Sequence, residues 1–216
     1  MKFLKKTTLK RFFILLFLLT LFILISALSY VDAVSQDIAN SVFRLHVIAN
    51  SDSEEDQSLK LKVRDGLLIY MNELSKNCSS KEEVIETAKK HQEEFKQIAN
   101  QIITENGFSY PVNIEIGNTS FPTKTYGDIS LPAGTYDSLK VQIGDAKGKN
   151  WWCVMFPPLC FVDVSSGIVP DSSKQEIKNN LNDEEYDLIS TADNTEISFK
   201  FKLVEFFQNL KLGLNQ

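Results

Sequence analysis

The sequence predicts an α+β fold, in which an N-terminal membrane or signal helix precedes one domain with two amphipathic helices packed on a mixed or antiparallel sheet. Three observations support this. An apolar run stands near the N-terminus, two helical patterns follow it, and short segments of alternating apolar and polar residues occupy much of the rest. We predict an N-terminal segment at residues 1–33 and an exported domain at residues 34–216.

The N-terminal apolar run covers residues 12–28 and follows a basic cluster. As a helix, a run of this length would span roughly 25 Å, slightly less than the ~30 Å hydrocarbon core of a bilayer. It is also slightly longer than the ~7–15 residues of a signal-peptide core. Cleavage near Ala33 and retention as a membrane anchor therefore both stay open. In either case the positive flank places the residues after Ala33 outside the cytosol.

Charge is distributed unevenly along the chain. Residues 1–33 contain five of the 23 basic residues but only one of the 28 acidic residues. The remainder therefore has 18 basic and 27 acidic residues, a formal charge of −9. Because nucleic-acid binding needs a basic face, this acidic domain is predicted not to bind nucleic acid.

The first element of the domain is a predicted strand, turn and helix at Val42–Asp65. Residues 43–47 alternate, with Arg44 and His46 on the polar face, as in a half-buried strand. Residues 50–53 are small and polar, which is typical of a turn. Ser53 then has the position of a helix N-cap, and an apolar stripe continues to residue 74.

A second helix and several strands are predicted further along the chain. Ser80–Glu83 has the spacing of a capping box and precedes an amphipathic stripe that ends near Gly107. The segment 145–149 contains glycine and suits a hairpin turn between two strands. Strands are predicted at residues 111–117, 136–144, 151–156 and 196–202, short helical turns at 174–181, and a closing helix at 204–212.

Polar residues at the end of the first strand form a candidate partner-binding surface, because sites often lie on polar loops carried by rigid elements. The residues in question are Arg44, His46, Asn50, Ser51 and Asp52. A plain N-capping turn would equally explain residues 50–56.

Two adjacent tryptophans add to this candidate surface. Successive strand residues point to opposite faces, so Trp151 and Trp152 cannot both face one core. Either one is an exposed binding anchor, or the sheet is covered on both faces.

Two cysteines flank a diproline in the same region. In an exported domain, Cys153 and Cys160 form either a disulfide or a pair of buried thiols. Their spacing does not match a zinc site, and only two histidines exist to assist, so no metal is predicted.

Sequence motifs of known enzyme classes are absent. The chain contains no GxSxG, HExxH, CxxC, Walker A or GxGxxG pattern, so no catalytic residue and no cofactor are predicted. The alternative is a small exported hydrolase that uses His46 and Asp52 with Ser51 or Ser53.

Two long motifs carry a resemblance to a known family. RLHVIANSDSEEDQSLKLKVRD, at residues 44–65, and NWWCVMFPPLCFVD, at Asn150–Asp163, resemble the stage II sporulation protein R family. The resemblance extends from about residue 35 to near residue 210.

The resemblance implies a function that composition and periodicity do not. It implies a signal that is made in the forespore and crosses its membrane. There it switches on a membrane-embedded aspartic protease in the mother-cell membrane, which then matures an early mother-cell sigma factor. The implied partners are this protease and, through the N-terminal segment, the membrane.

Overall fold

The computed structural model describes residues 2–160 and 169–190, together with residues 202, 204–208, 210 and 213. The predicted α+β fold is confirmed. The bounds are α1 (Lys2–Asn40), β1 (Phe43–Ile48), α2 (Glu54–Ser75), α3 (Lys81–Lys90), α4 (Gln92–Glu105), β2 (Val112–Phe121), β3 (Lys124–Tyr126), β4 (Ile129–Leu131), β5 (Gly134–Ile143), β6 (Asn150–Phe156), α5 (Asp171–Asn179) and α6 (Asp183–Ile189).

A mixed four-stranded sheet forms the centre of the domain, with strand order β2-β5-β1-β6. Strand β1 is parallel to β5 and antiparallel to β6, and β2 is antiparallel to β5. The predicted hairpin across residues 145–149 is therefore wrong, because β1 lies between the two strands that this segment connects. The amides of Lys147 and Gly148 donate to the carbonyls of Asn50 and Ala49, so the end of β1 holds the connection in place.

The first face of the sheet packs on α2, α3 and α4. Phe43, Leu45 and Val47 are fully buried there. Each such side chain contributes roughly 1.5–3 kcal/mol when removed from water. Ser53 and Ser80 cap α2 and α3 as predicted, each accepting a hydrogen bond from the backbone amide three residues later. The second predicted helix is in fact two, because the backbone leaves helical geometry at His91.

The second face of the sheet is also covered over part of its area. A separate apolar cluster forms there from the end of α1, the β3–β4 hairpin, α5 and α6. Strand β1 is therefore buried on both faces, and its prediction as a half-buried strand is wrong. The alternation was correct, but the polar face of β1 packs against protein instead of facing water.

Helix α1 is continuous from the apolar run into the domain. Among the described residues, it is the one helix that is long and apolar enough to cross a membrane. The candidate span covers Thr8–Asn40 and has a mean hydropathy of 2.8. Its last turns pack into the second cluster through Val31, Val34 and Ile38. The buried Lys81 ammonium donates to the Ala39 carbonyl (3.2 Å), which fixes this end of the helix. The helix therefore runs through the predicted boundary at residue 33.

The C-terminal part is described only in places. The predicted helical turns at 174–181 correspond to α5. The predicted strand at 196–202 lies outside the described residues, except for Lys202, which is helical. Residues 204–208 are helical, as predicted for the closing segment.

Candidate functional site

Among the described residues, no helix or hairpin covers one part of the second sheet face, and we call this part the open half-face. It consists of two rows of paired residues that cross all four strands. The first row contains Glu115, Lys140, His46 and Trp152, and the second contains Asn113, Gln142, Ile48 and Asn150. Next to these rows lies Gly117, which pairs with Ser138 of β5.

Accessibility distinguishes this half from the covered half. Asn113, Glu115 and Gly117 are exposed, whereas Lys140 and Gln142 are half-buried. A Cβ atom placed on Gly117 would have no heavy atom within 4 Å. The described elements therefore leave the space beside Gly117 free, and a partner can reach it without displacing any of them.

His46 lies at the centre of the first row, beneath Trp152. The two rings are stacked, with centroids 3.6 Å apart, and His46 is only 5% exposed. Its Nε2 is 2.7 Å from the Asn150 Oδ1, and its Nδ1 has no hydrogen-bond partner. In the neutral ring, Nε2 therefore carries the proton and donates it to Asn150.

The environment of His46 disfavours its charged form. Burial lowers the pKa of His46 from the ordinary value of 6.5 to about 4, opposed by the hydrogen bond to Asn150. The positive charges of Lys140 and Arg44 also contribute to this lowering of the pKa. The imidazole is therefore neutral at the pH of most cells.

We expect the stability of the protein to depend on His46 below neutral pH. Between pH 6.5 and about 4 the unfolded chain binds a proton at this position that the folded protein does not. The free energy of unfolding should therefore fall as the pH is lowered through this range. Thermal unfolding of the wild type and His46→Gln from pH 7.5 to 5 tests this. The variant should lose less stability on acidification, and equal losses would contradict the assignment.

Arg44 precedes His46 on the same face and is fully buried. Its Nη2 donates to the Tyr126 hydroxyl (2.8 Å), and its Cζ lies 4.0 Å from the Phe121 ring centroid and 4.5 Å from that of Tyr136. Among the described residues, no carboxylate forms an ion pair with it. The aromatic faces therefore provide the electrostatic stabilisation of this cation in the structure.

The predicted turn residues hold two loops together. Asn50 accepts from the Asp145 amide and donates to Asp56, while Ser51 also donates to Asp56. Asp52 accepts from the Lys149 amide. All three side chains thus have structural hydrogen bonds between β1, α2 and the connection to β6. Their role in partner binding stays a prediction.

The acceptor in this network, Asp56, titrates abnormally. Burial raises its pKa, but hydrogen bonds from Ser51, Asn50 and Tyr110 outweigh that effect and hold the pKa below its usual range. The carboxylate is therefore ionised and acts as the fixed centre of the junction.

His46, Asp52 and the serines at positions 51 and 53 do not form a serine hydrolase site. The imidazole of His46 hydrogen-bonds Asn150, whereas the carboxylate of Asp52 accepts from the Lys149 amide. Ser51 donates to Asp56, and Ser53 caps α2. No nucleophile and base are therefore paired at this junction in the structure.

The two tryptophans have different surroundings. Trp151 belongs to the first face, where the Arg64 guanidinium lies 4.2 Å from its ring centroid, and its indole nitrogen is buried without a partner. Trp152 lies on the second face, half-buried, at the border of the open half-face. Trp151 is half-buried as well, so the role of either indole in partner binding stays a prediction.

Cys153 and Cys160 form a disulfide, with Cα atoms 5.2 Å apart. The bond connects the edge strand β6 to the diproline loop, while Cys78 is a free, half-buried thiol. An apolar groove of about 290 Å³ lies beside the loop. It is lined mainly by Leu68, Met71, Met155, Pro158, Cys160 and Pro170. The described residues that line this groove include no histidine and no carboxylate.

The described part of the chain contains no candidate metal site. Within it, no group of three or more histidine, cysteine or acidic side chains converges.

Sequence reasoning missed most of the open half-face. Lys140, Glu115 and Gln142 lie on β5 and β2, which neighbour β1 only because of the strand order. The sequence did contain a signal for these residues, because apolar and polar residues alternate along β2 and β5. This alternation places Lys140, Glu115 and Gln142 on the polar face of each strand. Their assembly with His46 and Trp152 needed the parallel pairing of β1 and β5.

Comparisons with known proteins agree with the resemblance carried by the two motifs. The family model described as stage II sporulation protein R (spore_II_R) matches residues 39–166. The stage II sporulation protein R of Bacillus subtilis (strain 168) is 34% identical over 187 residues, which cover 80% of this chain and 83% of the relative. No solved structure matches the chain significantly. The chain therefore belongs to the stage II sporulation protein R family.

Proposed function

We propose that this protein is an exported sporulation signal, made in the forespore, that activates a membrane-embedded aspartic protease in the mother-cell membrane by binding it. Activation leads to proteolytic maturation of the early mother-cell sigma factor. The protein acts as a binding partner of the protease and not as an enzyme.

One observation carries the proposal most directly, namely a membrane-compatible helix that leads straight into a disulfide-bonded domain of an established sporulation family. Disulfides persist in oxidising compartments and are rare in the cytosol. The basic N-terminal flank favours export of everything that follows the apolar run. Both features support an action outside the cytosol of the cell that makes the protein.

Activation by binding sets an energetic requirement. A ligand shifts its partner only if it binds the active state more tightly than the inactive one. Moving an equilibrium from 1:99 to 99:1 requires about 5.5 kcal/mol of differential binding. A modest interface with one or two aromatic anchors can supply this amount, since single anchor residues contribute about 2 kcal/mol or more.

The function is tested by co-expressing this chain, the protease and its pro-sigma substrate in a bacterium that does not sporulate. We expect cleavage of the pro-sigma factor only when all three are present. A variant that lacks residues 12–28, which stays in the cytosol, is the matched control and should not support cleavage. Cleavage without this chain, or no cleavage with it, would contradict the proposal.

The topology of the chain gives a further prediction. Because positive charges precede the apolar run, a phosphatase reporter fused after Gln216 should be active outside the cytosol. A reporter that is active only in the cytosol would rule out export. Mass spectrometry of the mature N-terminus would then show whether the chain is cleaved near Ala33 or keeps its apolar helix.

A further inference from the structure

We propose that the open half-face is the surface that binds the partner protease, and that it takes an extracytoplasmic segment of that protein which presents an acidic side chain to Lys140. This inference rests on the function proposed above and adds the surface and the chemistry of its occupant. It is carried by the accessibility, the charge and the composition of the two rows.

Accessibility separates this surface from the other faces of the sheet. The first face is covered by α2, α3 and α4, and the far half of the second face is covered by the end of α1 and by α5 and α6. The open half-face keeps exposed side chains on β2 and free space above Gly117. The described elements therefore leave room for a protein segment at the β2 and β5 end of this surface, where the exposed side chains lie.

Charge indicates the chemistry of the occupant. Lys140 lies inside the first row and is partly shielded, with 27% of its side chain exposed. Glu115, at the edge of the sheet, is 58% exposed and 3.8 Å from the Lys140 ammonium, a long contact. A carboxylate from a partner can approach the ammonium more closely and form a charge-assisted hydrogen bond there. Glu115 is the one carboxylate of the two rows that opposes it, and the neutral His46 and the buried cation of Arg44 add no further negative charge.

The remaining members of the two rows suit a protein partner. Trp152 offers part of its indole surface and is held rigidly by the stack with His46. Tryptophan is enriched among the residues that dominate binding energies. Ile48 adds an apolar contact, and Asn113, Gln142 and Asn150 supply amides that can hydrogen-bond a main chain.

Gly117→Trp tests the surface by filling it. The backbone at this position lies in a strand and outside the left-handed region, and the space beside it is empty. The variant should therefore fold with a melting temperature close to that of the wild type. Its matched control is Glu86→Trp, an exposed position on α3 at the other face. Lys140→Glu tests the charge, with Lys96→Glu on α4 as its control.

The readout is the concentration of each full-length variant that gives half-maximal pro-sigma cleavage by protease-containing membranes. Gly117→Trp and Lys140→Glu should each raise it at least about tenfold, while both controls stay near the wild type. Unchanged activation by folded Gly117→Trp would overturn the surface but leave the proposed function intact. Failure of the wild type itself to activate the protease would overturn both proposals.

Two further outcomes also decide the inference. If Gly117→Trp alone is impaired and Lys140→Glu acts like the wild type, the acidic occupant is wrong. If light scattering shows that the wild type is a dimer and Gly117→Trp a monomer, the occupant is a second copy of this chain and the proposal fails.

Discussion

Replacement of Arg44 with alanine should lower the free energy of unfolding by about 2–5 kcal/mol, the range for large-to-small changes at buried positions. The side chain is fully buried between the rings of Phe121 and Tyr136, and its loss leaves a cavity in the second cluster. The Tyr126 hydroxyl also loses its donor. Urea unfolding in detergent solution, followed by tryptophan fluorescence, measures the effect.

Arg44→Met separates the contribution of packing from that of charge. Methionine fills most of the same volume and removes the cost of burying a cation, which is often large. We expect the methionine variant to be clearly more stable than the alanine variant. If the two are equally destabilised, the charge and its aromatic contacts, and not the filling of space, hold this part of the structure together.

Loss of the disulfide between Cys153 and Cys160 should also be costly. The bond closes a loop with a sequence separation of 7 residues. Closure of such a short loop stabilises by roughly 2–3 kcal/mol through its restriction of the unfolded chain. The double variant Cys153→Ser/Cys160→Ser should therefore unfold at a lower denaturant concentration, and reduction of the wild type should have a similar effect.

Cys78→Ser is the matched control for this experiment, since Cys78 is free and only half-buried. It should remain close to the wild type both with and without reductant. Alkylation of the folded protein should label Cys153 and Cys160 only after reduction. Rapid labelling of both without reductant, or an unfolding midpoint that reduction leaves unchanged, would contradict the disulfide.

Local features of the fold were predictable because their signals lie in short stretches of sequence. The caps at Ser53 and Ser80, the alternation of β1 and the apolar character of α1 depend only on residues a few positions apart. The pairing of Cys153 with Cys160 was also open to prediction, because the exported context and the short spacing favour it. Each of these features depends on residues that lie close together in the sequence.

Features that depend on strand order were not predictable in the same way. The turn at residues 145–149 has the composition of a hairpin, yet its backbone amides donate to Asn50 and Asp52 and so hold it beside β1, which separates β5 from β6. The burial of Arg44 depends on rings from β2 and β5. For the same reason, only His46, Ile48, Asn150 and Trp152 of the open half-face lie in motifs that the sequence singled out.

The most direct test of the central claim, activation by binding, is a titration of the full-length protein into membranes that contain the protease and its pro-sigma substrate. We expect cleavage to rise with the amount of protein and to saturate. His46→Ala, which removes the support beneath Trp152, should shift the midpoint but reach the same plateau. A folded His46→Ala protein that still binds the protease but loses on the order of a hundredfold in cleavage at saturation would contradict this account, because such a loss is typical of a missing general base.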